Sequence, residues 1–464
     1  MRQLIVTEFV ITRSLIGDWL VGDTLLQAVY NGRKITEDDM KQLSPTLFVL
    51  KIACLCLLAN GQADAQENWS RFHGPNGSGL AADATLPAEV SEDDYLWTAE
   101  LKGTGSSSPV VWGDNVFVTS CDSKTGELTL QCLSAKTGKE NWGHKFKSSP
   151  YRVHNRNSFA SGTPAIDKDH VYISYASPEK VMVVAFNHKG EKKWDRDFGT
   201  WISQHGFGTS LMTYKDKLIF FNSQQAQRVR QGRKPGESNM IAMSCKDGSV
   251  IWKTPLKATR SCYAVPGVFT DSTGKDQLIS CNTGDGFFSL DPDNGSKNWS
   301  TLPFRMRTVA STLVVDGLII GSSGSGGGGN YLVAIRPDKK GENPPEKAYE
   351  IQRANYVPSP VAVDGNLFLF TDKGIGQCFN LQTGEMHWQE RIARGFSGSP
   401  VATKENIYIM DESGMLYTIA AAKKYKLVGS HALGEASRST PAIANNQMYL
   451  RTESNLICIG TKKK

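Results

Sequence analysis

The 464-residue sequence has one long hydrophobic run, little net charge and no adjacent cysteines. The run extends from Leu47 to Leu58 and contains Lys51, so it falls short of the ~20 apolar residues that a membrane-spanning helix needs. The formal net charge of +6 is small for a protein that binds nucleic acid. We therefore expect neither a membrane span in the mature chain nor a nucleic-acid partner.

Common catalytic motifs are also missing. The sequence has no G-x-x-x-x-G-K-[ST], H-E-x-x-H or G-x-S-x-G, and its eight histidines are scattered. The glycine-rich run at 321–329 lacks the lysine of a phosphate-binding loop and leads into an apparent strand instead of a helix. We predict a flexible loop between strands at that run, and no metal site in the chain.

The hydrophobic run has the composition of an export signal. It is followed by Ala63-Asp64-Ala65, the small residues that a signal peptidase requires. We interpret residues 40–65 as a signal peptide and residues 1–39 as a mis-annotated extension upstream of the true start codon. An uncleaved anchor helix and lipoprotein processing at Cys54 are the alternatives. The mature chain then begins at Gln66 and is exported to the periplasm or the medium.

Seven cysteines follow the predicted cleavage site, an odd number that cannot pair completely within the chain. Cys121 and Cys132 flank a hairpin turn at 124–127 and could face each other across two strands. The alternative is that both are small buried residues at strand positions. Cys132, Cys378 and Cys458 occupy the same column of the repeat described next, as core positions do.

Five segments share one spacing, in which a glycine precedes a tryptophan by four residues. A polar residue precedes each glycine, and a short apolar run precedes each segment. This pattern predicts a β-hairpin, because the glycine accepts positive φ in a tight turn and the tryptophan returns on the next strand. The five pairs are Gly138 and Trp142, Gly190 and Trp194, Gly248 and Trp252, Gly295 and Trp299, and Gly384 and Trp388.

A second pattern precedes each hairpin. It begins with a stretch of small residues that often ends in proline, and an apolar strand, a polar turn and another apolar strand follow. The two patterns together make a four-stranded unit of about 40–50 residues, the period of a propeller blade. The sequence therefore predicts an all-β fold, an eight-bladed β-propeller of four-stranded antiparallel blades over residues 66–464. The eight openings lie at Ser108, Thr163, Ser210, Pro266, Thr312, Ser359, Ser399 and Thr440.

The eighth unit ends before its fourth strand, since only a short basic tail follows the apolar segment at 455–459. A strand-like segment at 94–98 precedes the first unit and contains Trp97, which belongs to none of the five hairpins. We predict that this segment supplies the missing outer strand of the last blade. Such a closure removes an exposed sheet edge.

The Gly–Trp turns and openings such as Ser108-Pro109-Val110 resemble the quinoprotein-type, or PQQ-like, repeat family. That family includes pyrroloquinoline-quinone (PQQ) dehydrogenase propellers and outer-membrane assembly lipoproteins of the BamB type. The likeness spans residues 66–464. The segment from Asn68 to Gly79 resembles the N-W-x-x-F-R-G-P-x-G-x-G opening of secreted bacterial members, with His73 where arginine is usual.

The resemblance to quinoproteins raises the question of a cofactor. Quinone-dependent alcohol dehydrogenases stack PQQ on a disulfide between adjacent cysteines and hold calcium with a Glu/Asn/Asp set. Neither feature can be matched in this sequence. We therefore predict a non-catalytic binding or scaffold propeller without PQQ, calcium or another cofactor. A quinone-dependent oxidoreductase with PQQ in the central channel and a sensor propeller related to Ser/Thr-kinase ectodomains are the alternatives.

The predicted links between blades are rich in arginine and carry aromatic residues in register, and an insertion at 224–238 adds further arginines. In antiparallel blades these links share one face with the loops between second and third strands. Arginine beside aromatic rings is typical of interface hot spots and anion sites; aromatic packing between blades, with solvated arginines, is the alternative. We predict that a monomer binds an acidic protein or an anionic envelope polysaccharide there. The predicted binding residues are Arg156, Phe159, His205, Phe207, Arg260, Tyr263, Arg305, Arg307, Tyr356, Arg394, Phe396 and Arg438.

Overall fold

The computed structural model describes residues 68–229, 231–301, 304–339 and 343–461. These residues contain 32 β-strands and two short 3-10 turns, at Pro75–Gly77 and Glu92–Asp94. The strands form eight antiparallel sheets of four strands each. The predicted all-β, eight-bladed β-propeller is confirmed. The predicted extension at 1–39 and signal peptide at 40–65 lie outside the described residues.

The first four blades follow the chain in order. Blade 1 contains β2 (Val110–Trp112), β3 (Asn115–Cys121), β4 (Leu128–Ser134) and β5 (Glu140–Phe146). Blade 2 contains β6 (Ala165–Ile166), β7 (His170–Ala176), β8 (Val181–Asn187) and β9 (Lys192–Asp197). Blade 3 contains β10 (Met212–Tyr214), β11 (Lys217–Asn222), β12 (Ser238–Ser244) and β13 (Val250–Leu256). Blade 4 contains β14 (Gly267–Thr270), β15 (Asp276–Asn282), β16 (Gly286–Leu290) and β17 (Lys297–Ser300).

The last four blades include the one that joins both ends of the ring. Blade 5 contains β18 (Leu313–Val315), β19 (Leu318–Ser323), β20 (Tyr331–Arg336) and β21 (Glu346–Gln352). Blade 6 contains β22 (Val361–Val363), β23 (Asn366–Phe370), β24 (Ile375–Asn380) and β25 (Met386–Arg391). Blade 7 contains β26 (Val401–Ala402), β27 (Asn406–Met410), β28 (Met415–Ala420) and β29 (Leu427–Ala432). Blade 8 contains β30 (Ala442–Ala444), β31 (Gln447–Arg451), β32 (Asn455–Gly460) and β1 (Tyr95–Glu100).

The position of a strand within its blade decides its composition. The second and third strands are buried on both faces, because each lies between two neighbouring blades; β3 and β4 in blade 1 are buried along almost their whole length. Such strands are nearly continuous in apolar residues. The fourth strand borders solvent, and β5 is correspondingly polar and largely exposed.

Four of the five Gly–Trp turns receive the tryptophan of the preceding blade. Gly138 has φ 70°, and a Cβ atom placed there would lie 2.5 Å from Cε3 of Trp97. The Trp97 indole nitrogen donates to the carbonyl of Ala135 in the same turn at 2.8 Å. The glycine is thus required twice, for the turn and for the docked ring. The same contact recurs for Trp142 on Gly190, Trp194 on Gly248 and Trp252 on Gly295.

Two blades replace the tryptophan of this column. In blade 5, Tyr349 packs on Gly384, and its hydroxyl donates to the carbonyl of Leu381 at 2.7 Å. In blade 7 the corresponding position is Gly429, where the backbone of Ala88 and Glu89 packs instead. Tyrosine retains an apolar ring with a polar tip and so substitutes for tryptophan.

The ring closes through an N-terminal strand, as predicted. Strand β1 pairs antiparallel with β32, and Trp97 lies opposite Cys458. A second set of contacts joins blade 8 to blade 1. The fully buried Arg451 of blade 8 donates to the hydroxyl of Ser107 at 2.7 Å and to the carbonyl of Thr119 at 2.6 Å, both in blade 1. Hydrogen bonds to a buried guanidinium offset part of its desolvation cost, so these contacts help hold the two blades together.

The innermost strands are joined by side-chain hydroxyls. In each case a backbone amide at the start of one blade donates to a serine or threonine hydroxyl at the start of the next, at 2.8–3.2 Å. Val265 of blade 4 stands where the eighth hydroxyl would lie. We call the seven residues the hydroxyl ring: Ser108, Thr163, Ser210, Ser311, Ser359, Ser399 and Thr440.

The seven described cysteines are all buried and free. Cys121 lies opposite Leu128 and Cys132 opposite Phe117, so the two cysteines do not face each other across the hairpin. The disulfide alternative is wrong, and the alternative of small buried strand residues is confirmed. Cys132, Cys378 and Cys458 do share one column, since each pairs with the tryptophan of its outer strand.

Residues 68–90, which we call the lead-in segment, cross the inner edges of several blades. Trp69 exchanges two backbone hydrogen bonds with Val111, and the carbonyl of Ser70 accepts from the amide of Ile166. Further along, Gly79 and Ala81 bond to both sides of Ala402 in blade 7. The segment therefore uses backbone groups that the innermost strands leave unpaired.

The lead-in segment lies on the face opposite the links between blades. Asn68 accepts from the amide of Gly113 in the β2–β3 turn, the end of β2 away from the link. Trp69 is fully buried, and Arg71 and His73 are 4% and 0% exposed. We call this side the lead-in face and the side with the links the open face.

Candidate functional site

A cavity of about 440 Å³ lies on the propeller axis and is lined by residues from all eight blades. We call it the axial cavity. Its lining includes the hydroxyl ring and Phe72 of the lead-in segment, together with residues of the links on the open face. The innermost strands converge on the axis, which is why one residue from the start of each blade reaches the same space.

Positive charge dominates the axial cavity. Four arginines line it, Arg156, Arg260, Arg307 and Arg438, and the one carboxylate in its described lining is that of Asp372. Arg156 also pairs with Glu412 outside the cavity at 3.3 Å. The remaining three arginines have no ion pair among the described residues. The cavity therefore favours an anionic occupant.

Arg307 is the most deeply placed of the four arginines, with 4% of its surface exposed. Its Nε donates to the carbonyl of Ser261 at 2.8 Å, which fixes the guanidinium group. Its Nη2 is buried and has no hydrogen-bond partner among the described residues, and the same is true of Nε of Arg438. Buried donors of this kind are costly unless an acceptor reaches them.

The arginines also lower the pKa values of neighbouring basic side chains. Burial, reinforced by the charges of Arg307 and Arg260, lowers the pKa of His205 to about 4. Burial lowers the pKa of Arg260, and the nearby Arg228 and Arg307 lower it further. In each case the pKa falls because the site already carries positive charge in a poorly solvated place.

Burial raises the pKa of the acidic and phenolic groups of the axial cavity, which favours their neutral forms. Burial raises the pKa of Asp372, although amides of Val357 and Tyr356 donate to its carboxylate at 3.3 and 3.2 Å. Burial also raises the pKa of Tyr263 to about 12 and raises that of Tyr356. Both phenols therefore act as neutral hydrogen-bonding groups at physiological pH.

A second cavity, of about 850 Å³, opens beside the first between the blade 1–2 link, the blade 2–3 link and the β11–β12 insertion. We call it the side groove. Arg152, Arg228 and Arg233 line it. His154, Gln204 and His205 line both cavities, so the side groove and the axial cavity are continuous.

Seven of the twelve residues predicted from the sequence meet at the axial cavity. They share a position in the links between blades. The seven are Arg156, His205, Arg260, Tyr263, Arg307, Tyr356 and Arg438. Among the predicted aromatic residues, the two tyrosines thus line the cavity, and their role in binding stays a prediction.

The other five predicted residues lie elsewhere. Phe207 and Phe396 are 1% and 0% exposed and belong to hydrophobic clusters between blades, and Phe159 packs on Tyr151. Phenylalanine has no polar group to keep at a wet cavity, so the packing alternative holds for these three. Arg305 and Arg394 are exposed outside the axial cavity; Arg305 stacks over Tyr331, 4.5 Å from the ring centroid, and pairs with Glu350.

Sequence reasoning missed several residues of the site. Phe72 and Asp372 both line the axial cavity, but one comes from the lead-in segment and the other from the β23–β24 turn of blade 6. No local signal points to either. The hydroxyl ring did have a sequence signal, because a serine or threonine recurs at the start of most repeat units. The glycine-rich run begins in β19, which extends to Ser323, and its residues 324–329 lie in the loop before β20, as predicted. Ser325 and Gly326 of this loop line the cavity.

The described residues contain no group of three or more His, Cys, Asp or Glu side chains arranged to hold a metal ion. Nor does any helix in the described ranges have the length and apolar character of a membrane span.

The sequence matches the family described as "Outer membrane protein assembly factor BamB" over residues 83–273 and 263–427. No curated protein matches it significantly. Among solved structures, BamB from Moraxella catarrhalis is 16% identical with a TM-score of 0.56, over 82% of this chain and 99% of that chain. The quinohemoprotein alcohol dehydrogenase from Comamonas testosteroni is 12% identical with a TM-score of 0.60, over 87% and 82%.

The computationally designed protein Ika8 is similar as well, at 10% identity and a TM-score of 0.54 over 79% of this chain and 100% of that chain. At such identities the solved structures show the propeller fold alone. The two stretches that match the family run from residue 83 to residue 427 and thus cover most of the chain. By its sequence repeats and its eight four-stranded blades, the chain belongs to the BamB-type family of PQQ-like β-propellers.

Proposed function

We propose that this chain is an exported, non-catalytic binding propeller whose open face docks an acidic partner protein. The observation that carries the proposal is the axial cavity, where four arginines face one carboxylate. Charge complementarity of this kind steers association and selects partners by sign. The protein acts as a monomer, with the hydroxyl ring and β1 closing its own ring of blades.

An extended acidic segment fits the shape of the site. The side groove continues the axial cavity toward the edge of blades 2 and 3 and adds Arg152, Arg228 and Arg233. Carboxylates of a partner would pair with these arginines along this path.

The family supports the choice of a protein partner. Its description names an outer-membrane protein assembly factor, and the similar M. catarrhalis structure is a BamB. Export to the cell envelope is part of the proposal and agrees with the signal-like segment at 40–65. An anionic polysaccharide of the envelope is the other class of partner that this charge would attract, and the experiment below separates the two.

Binding without a quinone cofactor is also part of the proposal. The described lining of the axial cavity contains one carboxylate, Asp372, and no cysteine. The disulfide of quinone-dependent dehydrogenases therefore has no counterpart in that lining, and no glutamate joins Asn157 and Asp372 there to complete a Glu/Asn/Asp set. This supports a binding site made of donors and positive charge, and we derive no redox step from it.

Retention on defined polyanions tests the docking proposal. The mature protein should bind immobilised poly-L-glutamate at low ionic strength and be released as salt rises, because exposed charge–charge attraction is screened. Replacing Arg260, Arg307 and Arg438 together with glutamine should abolish retention. The matched control replaces three exposed arginines of the same face, Arg305, Arg391 and Arg394, and should retain most binding.

The outcomes separate the partner classes. Retention on poly-L-glutamate but not on polygalacturonate supports a protein partner. Stronger retention on polygalacturonate favours the polysaccharide and overturns the choice of a protein. Equal retention of the two triple variants shows that the axial cavity does not dock the partner.

A further inference from the structure

The hydroxyl ring has donors that no described residue uses. Each of its seven oxygens accepts a backbone amide from the neighbouring blade, and none of the seven hydroxyls donates to another described residue. A hydroxyl has one proton in addition to its lone pairs, so each of the seven keeps a free donor. All seven residues line the axial cavity. Seven donors therefore surround one small space.

The buried arginines add donors at the same place. Nη2 of Arg307 and Nε of Arg438 lack partners, and Arg307 cannot turn away easily because its Nε is bound to the carbonyl of Ser261. An unpaired donor on a buried cation carries a large desolvation cost. A ligand that brings negatively charged acceptors removes that cost.

Negatively charged acceptors are scarce in the axial cavity. Asp372 supplies its one carboxylate, and the amides of Tyr356 and Val357 already donate to it. A cationic, donor-rich ligand such as a protonated amine would thus meet four arginines and little opposite charge. The chemistry of the cavity selects a ligand that is negatively charged and has several acceptor oxygens.

We propose that the axial cavity is a binding site for a carboxylate-bearing ligand, whose oxygens accept from the hydroxyl ring and from Arg307 and Arg438. The carboxylate comes either from a free small polycarboxylate or from an acidic side chain of the docked protein; only the second source rests on the function proposed above. The cavity volume of about 440 Å³ lies in the usual range for small-molecule sites, roughly 300–1,000 Å³.

Titration calorimetry with citrate on the mature, full-length protein tests the site. The wild-type protein should bind citrate saturably, and Arg307→Gln should weaken binding about tenfold or more, since a charged partner of the ligand is lost. Arg305→Gln is the matched control, because Arg305 lies two residues earlier, is exposed and does not line the cavity. Equal affinities for the two variants, or no saturable binding to the wild type, would overturn the proposal.

A gain-of-function variant guards against misfolding as the explanation. Val265 lines the axial cavity at the position that lacks a hydroxyl, between Ser210 and Ser311 in the ring. Val265→Ser should complete the ring with an eighth donor and tighten citrate binding roughly fivefold, the effect of one added hydrogen bond. Val265→Ala removes the same apolar bulk without adding a hydroxyl and should not tighten it. If the two variants bind citrate alike, the ring is not a donor surface for the ligand.

A competition experiment separates the two sources of carboxylate. If a glutamate-rich peptide competes with citrate, the docked partner can supply the group; if citrate binds without competition, the ligand is a free polycarboxylate. Both results support the site. Failure of citrate to bind would leave the poly-L-glutamate experiment intact, whereas failure of the docking experiment would leave citrate binding as a site for a small molecule.

Discussion

The two faces of the propeller hold buried polar side chains in different surroundings. On the lead-in face, His73 has its two ring nitrogens 2.9 Å from the carbonyl of Gly77 and 2.7 Å from that of Pro400. Arg71 on the same face keeps its buried Nε and Nη2 without a partner among the described residues. On the open face, Arg307 is 4% exposed and its Nη2 has no described partner either. The difference is that Arg307 belongs to the lining of the axial cavity.

The difference follows from what covers each face. On the lead-in face a chain segment pairs with the inner edges of the blades through backbone hydrogen bonds. On the open face the links only connect blades, so their side chains surround an open space.

The largest effect should come from removing the lead-in segment. Deleting residues 68–90 should lower the free energy of unfolding by at least ~3–5 kcal/mol, because burial of a tryptophan such as Trp69 alone contributes that much. Chemical denaturation measures the loss. Extending the deletion to residue 98 also removes β1 and should abolish cooperative unfolding. A shortened chain that unfolds like the full-length protein would show that the lead-in face is not structural.

Two tryptophans allow a matched comparison of the lead-in face with a seam between blades. Trp97 donates from Nε1 to Ala135 at 2.8 Å, whereas Nε1 of the buried Trp69 has no partner among the described residues. Trp97→Phe should therefore destabilise the fold by about 1–3 kcal/mol more than Trp69→Phe, since it also leaves a carbonyl unpaired. The denaturation midpoints of the two variants measure this difference in stability. Equal losses of stability would mean that the indole hydrogen bond of Trp97 contributes nothing.

Acid should weaken the lead-in face through His73. Burial lowers the pKa of His73 below 6.5, and the two carbonyls that raise it do not compensate; the charge of Arg71 lowers it further. The unfolded chain then binds more protons than the folded one, so stability is complete above about pH 6.5 and falls as the pH drops toward the folded pKa. His73→Gln should flatten the decline in denaturation midpoint between pH 7 and pH 5. A decline as steep as in the wild type would assign it to other groups.

The same acidification should increase the contribution of His205 to anion binding at the open face. The pKa of His205 is lowered to about 4, mainly by burial and then by Arg307, so the imidazole is neutral at pH 7. A bound anion favours the protonated form, so the ratio of the citrate affinity of the wild-type protein to that of His205→Gln should rise from pH 7 to pH 5. The protonation of citrate itself cancels in this ratio, because it affects both proteins alike. A ratio that does not change with pH would exclude protonation of His205 as a contributor to binding.

The smallest effect should come from an exposed arginine of the open face. Arg305 is 70% exposed and lies 3.5 Å from Glu350. Arg305→Gln should change the free energy of unfolding by less than about 1 kcal/mol, because exposed ion pairs contribute little. Arg307→Gln should cost more, because it removes a donor from the carbonyl of Ser261. Thermal or chemical denaturation of both variants at one pH makes the comparison.

The sequence predicted the fold in detail because each sequence repeat corresponds to one four-stranded blade. The glycine of each hairpin turn and the tryptophan that docks on the next turn keep a constant spacing, so Gly138 and Trp142 could be read as part of one hairpin. The closure through Trp97 followed from a missing strand at the other end of the chain. Tyr349 was not recognised in the tryptophan column, because tyrosine satisfies the same docking contact by a different residue type.

The candidate site was predictable only in part. The links that contain Arg260, Arg307 and Arg438 could be placed on one face from blade topology. Whether the side chain of a link residue lines the axial cavity or packs between blades depends on tertiary packing. Phe207 and Phe396 pack between blades because they are apolar. Asp372 and Phe72 come from distant parts of the chain and carry no common pattern.

The sequence by itself determined the architecture: eight blades, their four strands and the strand that closes the ring, since local periodicity and turn chemistry repeat along the chain. The tertiary structure alone decided which charges lie together, what covers each face and which donors stay unpaired. Those features join residues hundreds of positions apart, such as His73 and Pro400. No local pattern specifies such contacts, because they arise only when the ring has closed and its eight inner strands converge on one axis.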